Sequence, residues 1–321
     1  MVLSTQLHIV TGKGGTGKTT VAAALAMALA DKGKKVLLCE VEGRQGIAQL
    51  FDVPPLPYEE RKVAVGLGGG EVFALAIDPE AALLEYLAMY YRLGRAGRML
   101  DRFGIIDFAT TIAPGARDVL LTGKVYEAAG RKNGSTFVYD AIIMDAPPTG
   151  RITRFLNVNT EVAGLAKVGP IRRQADSIMQ MMRSVTTRVH LVTVLEEMPV
   201  QETIDGMVGL GQEKLPVGHV ILNLVRPSLL TAETSTAVSD GTLTAAKIGS
   251  SLKKAAVDPA AAAALLDEGR AHIERQNLQD RQRAVLTEEA KRLAELPWLS
   301  DGIDLGALFE LAEKLKQGGV V

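Results

Sequence analysis

The run Gly12-Lys13-Gly14-Gly15-Thr16-Gly17-Lys18-Thr19 constrains this chain more than any other feature. It follows the apolar run Leu7-His8-Ile9-Val10 and precedes an Ala- and Leu-rich stretch, 18–32, that Gly33 ends. Four glycines within 12–17 rule out a continuous strand or helix there, so the segment reads as strand, tight loop, helix. In such a loop successive backbone N–H groups point into one concavity, and the helix N-terminus adds partial positive charge. Both favour phosphate. The spacing G-x-x-x-x-G-K-[ST] predicts a cradle for the phosphates of ATP with Mg²⁺. Lys18 reaches the β- and γ-phosphates, Thr19 ligates the metal, and Thr20 touches the α-phosphate.

Apolar β-branched runs and helical stretches alternate along the rest of the chain. Further strands are expected over 35–39, 72–77, 141–144, 189–195 and 219–222, with a short last one at 296–299. Helical periodicity covers 79–131, broken by Gly94, Gly97, Gly104 and Pro114-Gly115, and returns over 152–186. Helices are also expected at 200–210, 259–296 and 305–315, whereas 226–258 is polar and rich in small residues and reads as weakly ordered. Alternating strands and helices imply an α/β fold with a mostly parallel, doubly wound sheet, whose ligands bind beyond the carboxyl ends of the strands. The expected organisation is a single domain over 1–321 with a helical subdomain inserted at about 79–131 and 152–186.

Composition narrows the partners. The formal net charge of −1 gives no reason to expect nucleic acid. One cysteine, Cys39, cannot form a disulfide or a thiolate metal cluster within the chain, and no two of the four histidines have the spacing of a helical ligand pair. The apolar run 21–30 is about half the length of a bilayer span, and nothing at the N-terminus has the pattern of a signal peptide. A cytoplasmic protein is expected, peripheral at a membrane if it meets one.

A second motif, Asp145-Ala146-Pro147-Pro148-Thr149-Gly150, follows the strand residues Ile142-Ile143-Met144. A carboxylate there is placed to hold Mg²⁺, and the Gly150 N–H to sense the γ-phosphate. With a lysine at the second loop position, Lys13, and the continuation Arg151-Ile152-Thr153-Arg154-Phe155-Leu156, the chain resembles the arsenite-pump and tail-anchored-protein-targeting ATPase family. Among its branches it is most similar to the actinobacterial paired anion-transporting ATPase subunits. Arg151 stands where that family has histidine.

The resemblance implies a P-loop NTPase fold and a dimer, either homodimeric or with a paralogous subunit, in which Lys13 acts on phosphates held by the other chain. It also implies that Asn223 and Pro297 meet the adenine. Glu42 stands where the family has the aspartate that positions the attacking water, so Lys13, Glu42 and Lys18 are the expected catalytic groups. A membrane-associated client is implied, and with a single cysteine neither zinc bridging nor arsenite activation is expected. Apolar residues such as Leu83, Leu84, Met179 and Met182 serve either as core or as a client groove. A nucleotide-binding regulatory subunit with little hydrolysis of its own is the alternative.

Overall fold

The computed structural model describes residues 6–91, 114–157 and 170–321. Eight strands form one sheet in the order β10-β9-β8-β1-β7-β2-β4-β3. They are β1 (Gln6–Gly12), β2 (Lys35–Glu40), β3 (Arg61–Val65), β4 (Glu71–Ala76), β7 (Ala141–Asp145), β8 (Thr187–Thr193), β9 (Val217–Val225) and β10 (Leu293–Pro297). Two short strands, β5 (Lys132–Asn133) and β6 (Thr136–Phe137), make a separate hairpin. Every pairing in the large sheet is parallel except β3 with β4. This is the arrangement of a P-loop NTPase, with the loop leaving a central strand.

Central strands of such a sheet are covered on both faces and so read as unbroken apolar runs. In β1, Leu7 and Ile9 join one core and Val10 the other; in β7, Ile142 and Met144 face the first core and Ala141 and Ile143 the second. The second core is built on α1 (Lys18–Ala30), in which every residue from Val21 to Ala30 is buried. A helix apolar all round must be enclosed, and α11 (Leu305–Gln317) covers it with Leu308, Leu311 and Leu315. The C-terminal helix is thus part of the core.

The end of α1 is closed from outside by the β3–β4 turn. The N–H groups of Gly33 and Gly70 both donate to the Ala30 carbonyl, satisfying an orphan helix-end acceptor. A Cβ on Gly68 would lie 2.0 Å from the Asp31 carbonyl oxygen, so only glycine permits this approach.

The other core receives α4 (Pro114–Gly130), α5 (Thr149–Leu156), α6 (Pro170–Met182) and α7 (Glu197–Gln212). Ile178, Met179, Met181 and Met182 are buried there, so α6 spends its methionines on core. Helix α3 (Pro79–Tyr91) follows β4. The glycines at 94, 97 and 104 lie outside the described residues.

Two expectations are corrected, and one strand was not anticipated. Residues 61–65 form edge strand β3; its exposed Arg61 and Lys62 suit an edge and hide the apolar alternation. The segment 226–258 carries two ordered helices, α8 (Ala232–Ser239) and α9 (Ala245–Lys254), capped by the Thr231 and Thr244 hydroxyls. Helix α10 (Ala262–Glu289) stops short of 296, because β10 begins at Leu293.

Three histidines cross the sheet on β1, β8 and β9. His190 Nδ1 accepts from the His219 backbone N–H at 3.2 Å, so the neutral ring carries its proton on Nε2 and donates to His8 Nδ1 at 3.0 Å. His8 then carries its own proton on Nε2, which is buried without a partner. Burial first, then the Lys34 and Arg188 charges and His219, pushes His8 from the usual 6.5 to about 4. Burial likewise holds His190 well below its ordinary value. Both groups are neutral in the folded chain at pH 7. Their stabilisation is complete above the unfolded value of 6.5 and is lost as pH falls toward 4, because the unfolded chain takes protons that the column refuses. For His8 the loss approaches roughly 3 kcal/mol. Urea unfolding at about pH 7.5 and about pH 5 is expected to show a lower midpoint in acid, with a smaller drop in His8→Gln.

Candidate active site

The carboxyl ends of β1, β2, β7 and β9 bring most of the candidate residues to one edge of the sheet. Gly12 ends β1, and a Cβ there would lie 2.1 Å from the Val192 carbonyl oxygen of β8. Gly15 and Gly17 take φ of 87° and 84°, the left-handed region, which lets the loop curl back before α1 starts. Thr16 donates its hydroxyl to the Lys13 carbonyl at 2.9 Å, closing the loop on itself. Lys18 is buried and Thr20 half-buried on the first turn of α1.

The floor of this loop is Asn223. Its Nδ2 donates to the Thr16 carbonyl at 2.9 Å, and the residue is buried. A Cβ on Gly17 would lie 2.4 Å from the same nitrogen. Asn223 therefore supports the loop from beneath. Beyond it Leu224 takes a left-handed φ of 57°, and Pro297 pairs in register with Val225. The next residues form a stacked pair, with the Arg226 guanidinium 4.4 Å from the centre of the Trp298 ring.

Asp145 is tied to the loop directly. Thr19 Oγ1 donates to its Oδ2 at 2.6 Å, while Oδ1 is buried with no partner. Burial pushes the carboxyl up to about 6; the Thr19 hydrogen bond and the Lys18 charge oppose that, while Glu40 and Glu42 add to it. A buried carboxylate with one bare oxygen beside a threonine hydroxyl is a donor set for a hard dication, which would satisfy the oxygen and offset the cost of its charge. The Thr149 hydroxyl is a second buried group without a partner. The motif is anchored to β1, since Thr11 Oγ1 donates to the Pro147 carbonyl at 2.6 Å and the Ala146 N–H to the Val10 carbonyl at 2.9 Å. Gly150 lies in the first turn of α5, with open space where a Cβ would be. Arg151 is exposed and 3.9 Å from Asp118 of α4.

Two carboxylates add to what the motifs indicate. Glu40, at the end of β2, is buried and accepts from the backbone N–H groups of Gln45 and Ile47. It fixes the turn that carries Glu42, whose own contact is with Arg44 at 3.6 Å. An acidic residue ending a buried strand was the available signal for it. The other is Glu202 on α7, paired with Lys13 at 2.8 Å. Within the single chain Lys13 thus has an acidic partner. Tertiary packing alone brings these two together, and no local pattern announces it.

Loss of the Asn223 support has a separable signature. Gly17→Ala is expected to weaken ATP binding by about tenfold or more, through the clash with Asn223 and the left-handed φ. Asn223→Ala removes the clash but leaves backbone strain of roughly 1 kcal/mol. Calorimetry on the double variant is therefore expected to show Gly17→Ala costing less in the Asn223→Ala background than alone. Equal costs would mean that Asn223 does not set the loop's shape.

Comparison with known proteins agrees with this placement. The family model described as anion-transporting ATPase matches residues 5–188, more than half of the chain. ATPase BagA of Mycobacterium tuberculosis is 52% identical over 322 aligned residues, covering 98% of this chain and 94% of that protein. A putative arsenical pump-driving ATPase of Aquifex aeolicus is 30% identical over 48% of this chain and 38% of its own length. The arsenical pump-driving ATPase of Acidiphilium multivorum is 27% identical over 68% and 39%. With an eight-stranded parallel-type sheet, a glycine loop ahead of α1 and an aspartate hydrogen-bonded to that loop's threonine, the chain belongs to the anion-transporting ATPase family.

Proposed function

We propose that the chain is a Mg²⁺-dependent ATPase that works as one half of a dimer, switching conformation to handle a membrane-associated client or partner. The observation that carries the reading is the Thr19–Asp145 pair, with its bare buried oxygen beside Lys18. The glycine loop binds the phosphates through its backbone N–H groups, and Lys18 neutralises charge that those groups cannot. Thr19 and Asp145 would hold the Mg²⁺, which would supply charge stabilisation for the phosphates. Glu42 orients the attacking water, and the Gly150 N–H contacts the terminal phosphate, so that its loss is passed to α5. Asn223 holds the loop, and the segment around Pro297 borders the base.

Lys13 is assigned to the partner's phosphates, as a cation completing the site only when two chains meet. The partner proposed is a paralogous subunit or a second copy. The proposal does not extend to metalloid. Cys39 is sealed in the core, where burial pushes its thiol well above the usual range, and an inert thiol is no arsenite ligand. No helix among the described residues is long and apolar enough to cross a membrane, so the membrane association is proposed as peripheral.

A regulatory subunit that binds ATP with little turnover is the second reading. Two points favour it: by the family resemblance Glu42 replaces a water-positioning aspartate, and its extra methylene would displace the carboxylate; and Lys13 is paired in cis with Glu202. A displacement of about 1 Å can cost on the order of a hundredfold in rate.

Lys18→Ala is expected to abolish tight ATP binding in calorimetry, and Asp145→Asn to remove its Mg²⁺ dependence more than the binding itself. Single-turnover hydrolysis separates the two readings when run on the chain alone and with the paralogue. In the reconstituted pair Lys13→Ala is expected to lower turnover by about 10³-fold or more, as loss of a trans-acting cation does in GTPases, and Glu42→Gln to matter less. The opposite ranking would mean that Glu42, rather than the trans-acting lysine, limits turnover. Unchanged turnover in both would leave the regulatory reading.

A further inference from the structure

The opposite end of the sheet holds a cavity of about 460 Å³ that the ATPase reading does not use. It opens at the amino ends of β8, β9 and β10. Gly218 lies in its wall, and Asn223 under the phosphate loop is five residues further along the same strand, a separation of about 16 Å. The volume is within the range of small-ligand sites.

The fold builds this cavity by breaking the β8–β9 ladder. Val189 lies opposite Val217, but Leu191 lies opposite Val220, so β9 carries one extra residue. Such a bulge bends its strand and re-aims side chains. Here the His219 N–H turns to the His190 ring. A Cβ at Gly218 would lie 2.9 Å from His190 Nδ1 and 3.3 Å from the Arg188 Cβ, so glycine is required at the bulge.

The walls and the mouth differ in chemistry. Met207, Val217 and Val220 line the cavity with apolar surface, and Arg188, Lys291 and Arg292 add three cations. None of the three has a carboxylate within ion-pair distance among the described residues. Glu289 also lines the cavity, leaving the lining net positive. Arg188 is oriented in advance, since its Nη1 donates to the Val185 and Thr187 carbonyls, both at 2.7 Å, leaving Nε and Nη2 for another acceptor. A guanidinium fork fixed in this way recognises carboxylate or phosphate oxygens.

We propose that this cavity binds a small amphiphilic anion, its carboxylate or phosphate head among Arg188, Lys291 and Arg292 and a short apolar body against Met207 and Val220. The site is separate from the phosphate loop, and the inference does not depend on the proposed ATPase mechanism. The positive field is felt by the neighbouring rings: Arg292 holds the His219 titration down, after burial, and Arg188 contributes to the same effect on His8 and His190.

Calorimetry on the full chain saturated with ATP and Mg²⁺ tests it, using hexanoate, hexyl phosphate, hexanol and inorganic phosphate as probes. Hexanoate or hexyl phosphate is expected to bind saturably, one per chain, and the tighter of the two identifies the head group. Hexanol lacks the charge and inorganic phosphate the apolar body, and each is expected to bind at least about tenfold more weakly. Lys291→Glu with Arg292→Glu, both at exposed positions, is expected to weaken the amphiphile by about tenfold or more and leave ATP affinity unchanged. Arg188→Ala is a second variant with the same expectation. The idea is overturned if neither amphiphile saturates, if binding disappears when ATP is present, if inorganic phosphate binds as well as they do, or if the charge-reversed variant binds them like the parent.

Discussion

The Asp145 carboxylate sets the terms for the rest of this fold. It is buried at the end of β7 with one oxygen held by Thr19 and the other bare. Leaving a carboxylate in that condition costs free energy, and its pKa, raised to about 6, is the measure of that cost. The surrounding structure makes the arrangement hold. Thr11 ties the Pro147 carbonyl to β1, Glu40 pins the neighbouring turn, and Asn223 fixes the loop from below. Three strands thus converge on a site that is poor for an isolated protein and good for a protein holding a dication and phosphates.

Lys13 is the point where the chain's internal economy and its proposed assembly compete. The pair with Glu202 is part-exposed on both sides, and ion pairs of that kind are worth about 0–1 kcal/mol. A phosphate group offers more charge and better geometry than one solvated carboxylate. The cis pair therefore keeps Lys13 ordered near the surface of α7 without holding it strongly enough to prevent an exchange of partners.

Legibility followed the range of the interactions involved. The strand–loop–helix unit at 6–30 and the Asp145 motif are local, with glycines, a lysine and a hydroxyl at fixed spacing, and they place themselves. The parallel sheet follows from apolar runs that need two covers. Strand β3 was missed because it is an edge with charged residues facing water. Helices α8 and α9 were missed because their Thr, Ser, Gly and Ala content reads as loop, although Ile248 and Leu252 of α9 recur at helical spacing; threonine caps and packing on α10 support both. Asn223 could be singled out by its strand-end position, but its contact with a carbonyl 207 residues away is a property of the assembled sheet. The same is true of Glu202 and of the histidine column.

Both ends of a doubly wound sheet collect charged groups, for opposite reasons. Helix N-termini arrive at the carboxyl ends of the strands and attract anions, while helix C-termini arrive near the amino ends and attract cations. Basic residues follow several of these helices: Lys34 after α1, Arg131 after α4, Arg183 after α6, and Lys291 with Arg292 after α10. Two of them meet carboxylates: Arg131 is gripped by Glu127 and Glu60, and Arg183 is near Glu213. Lys34 donates to the neutral Gln6 side chain. The helix-end effect is enough to explain one cation after α10. It does not account for Arg188, which lies within β8 rather than at a helix end and is held instead by the Val185 and Thr187 carbonyls. What distinguishes the amino end of β8–β10 is that its cations have no carboxylate within ion-pair distance among the described residues and lie beside an apolar cavity opened by a bulge. A dipole needs only a nearby charge, whereas a ligand needs charge, cavity and fixed geometry together, and this corner of the fold has all three.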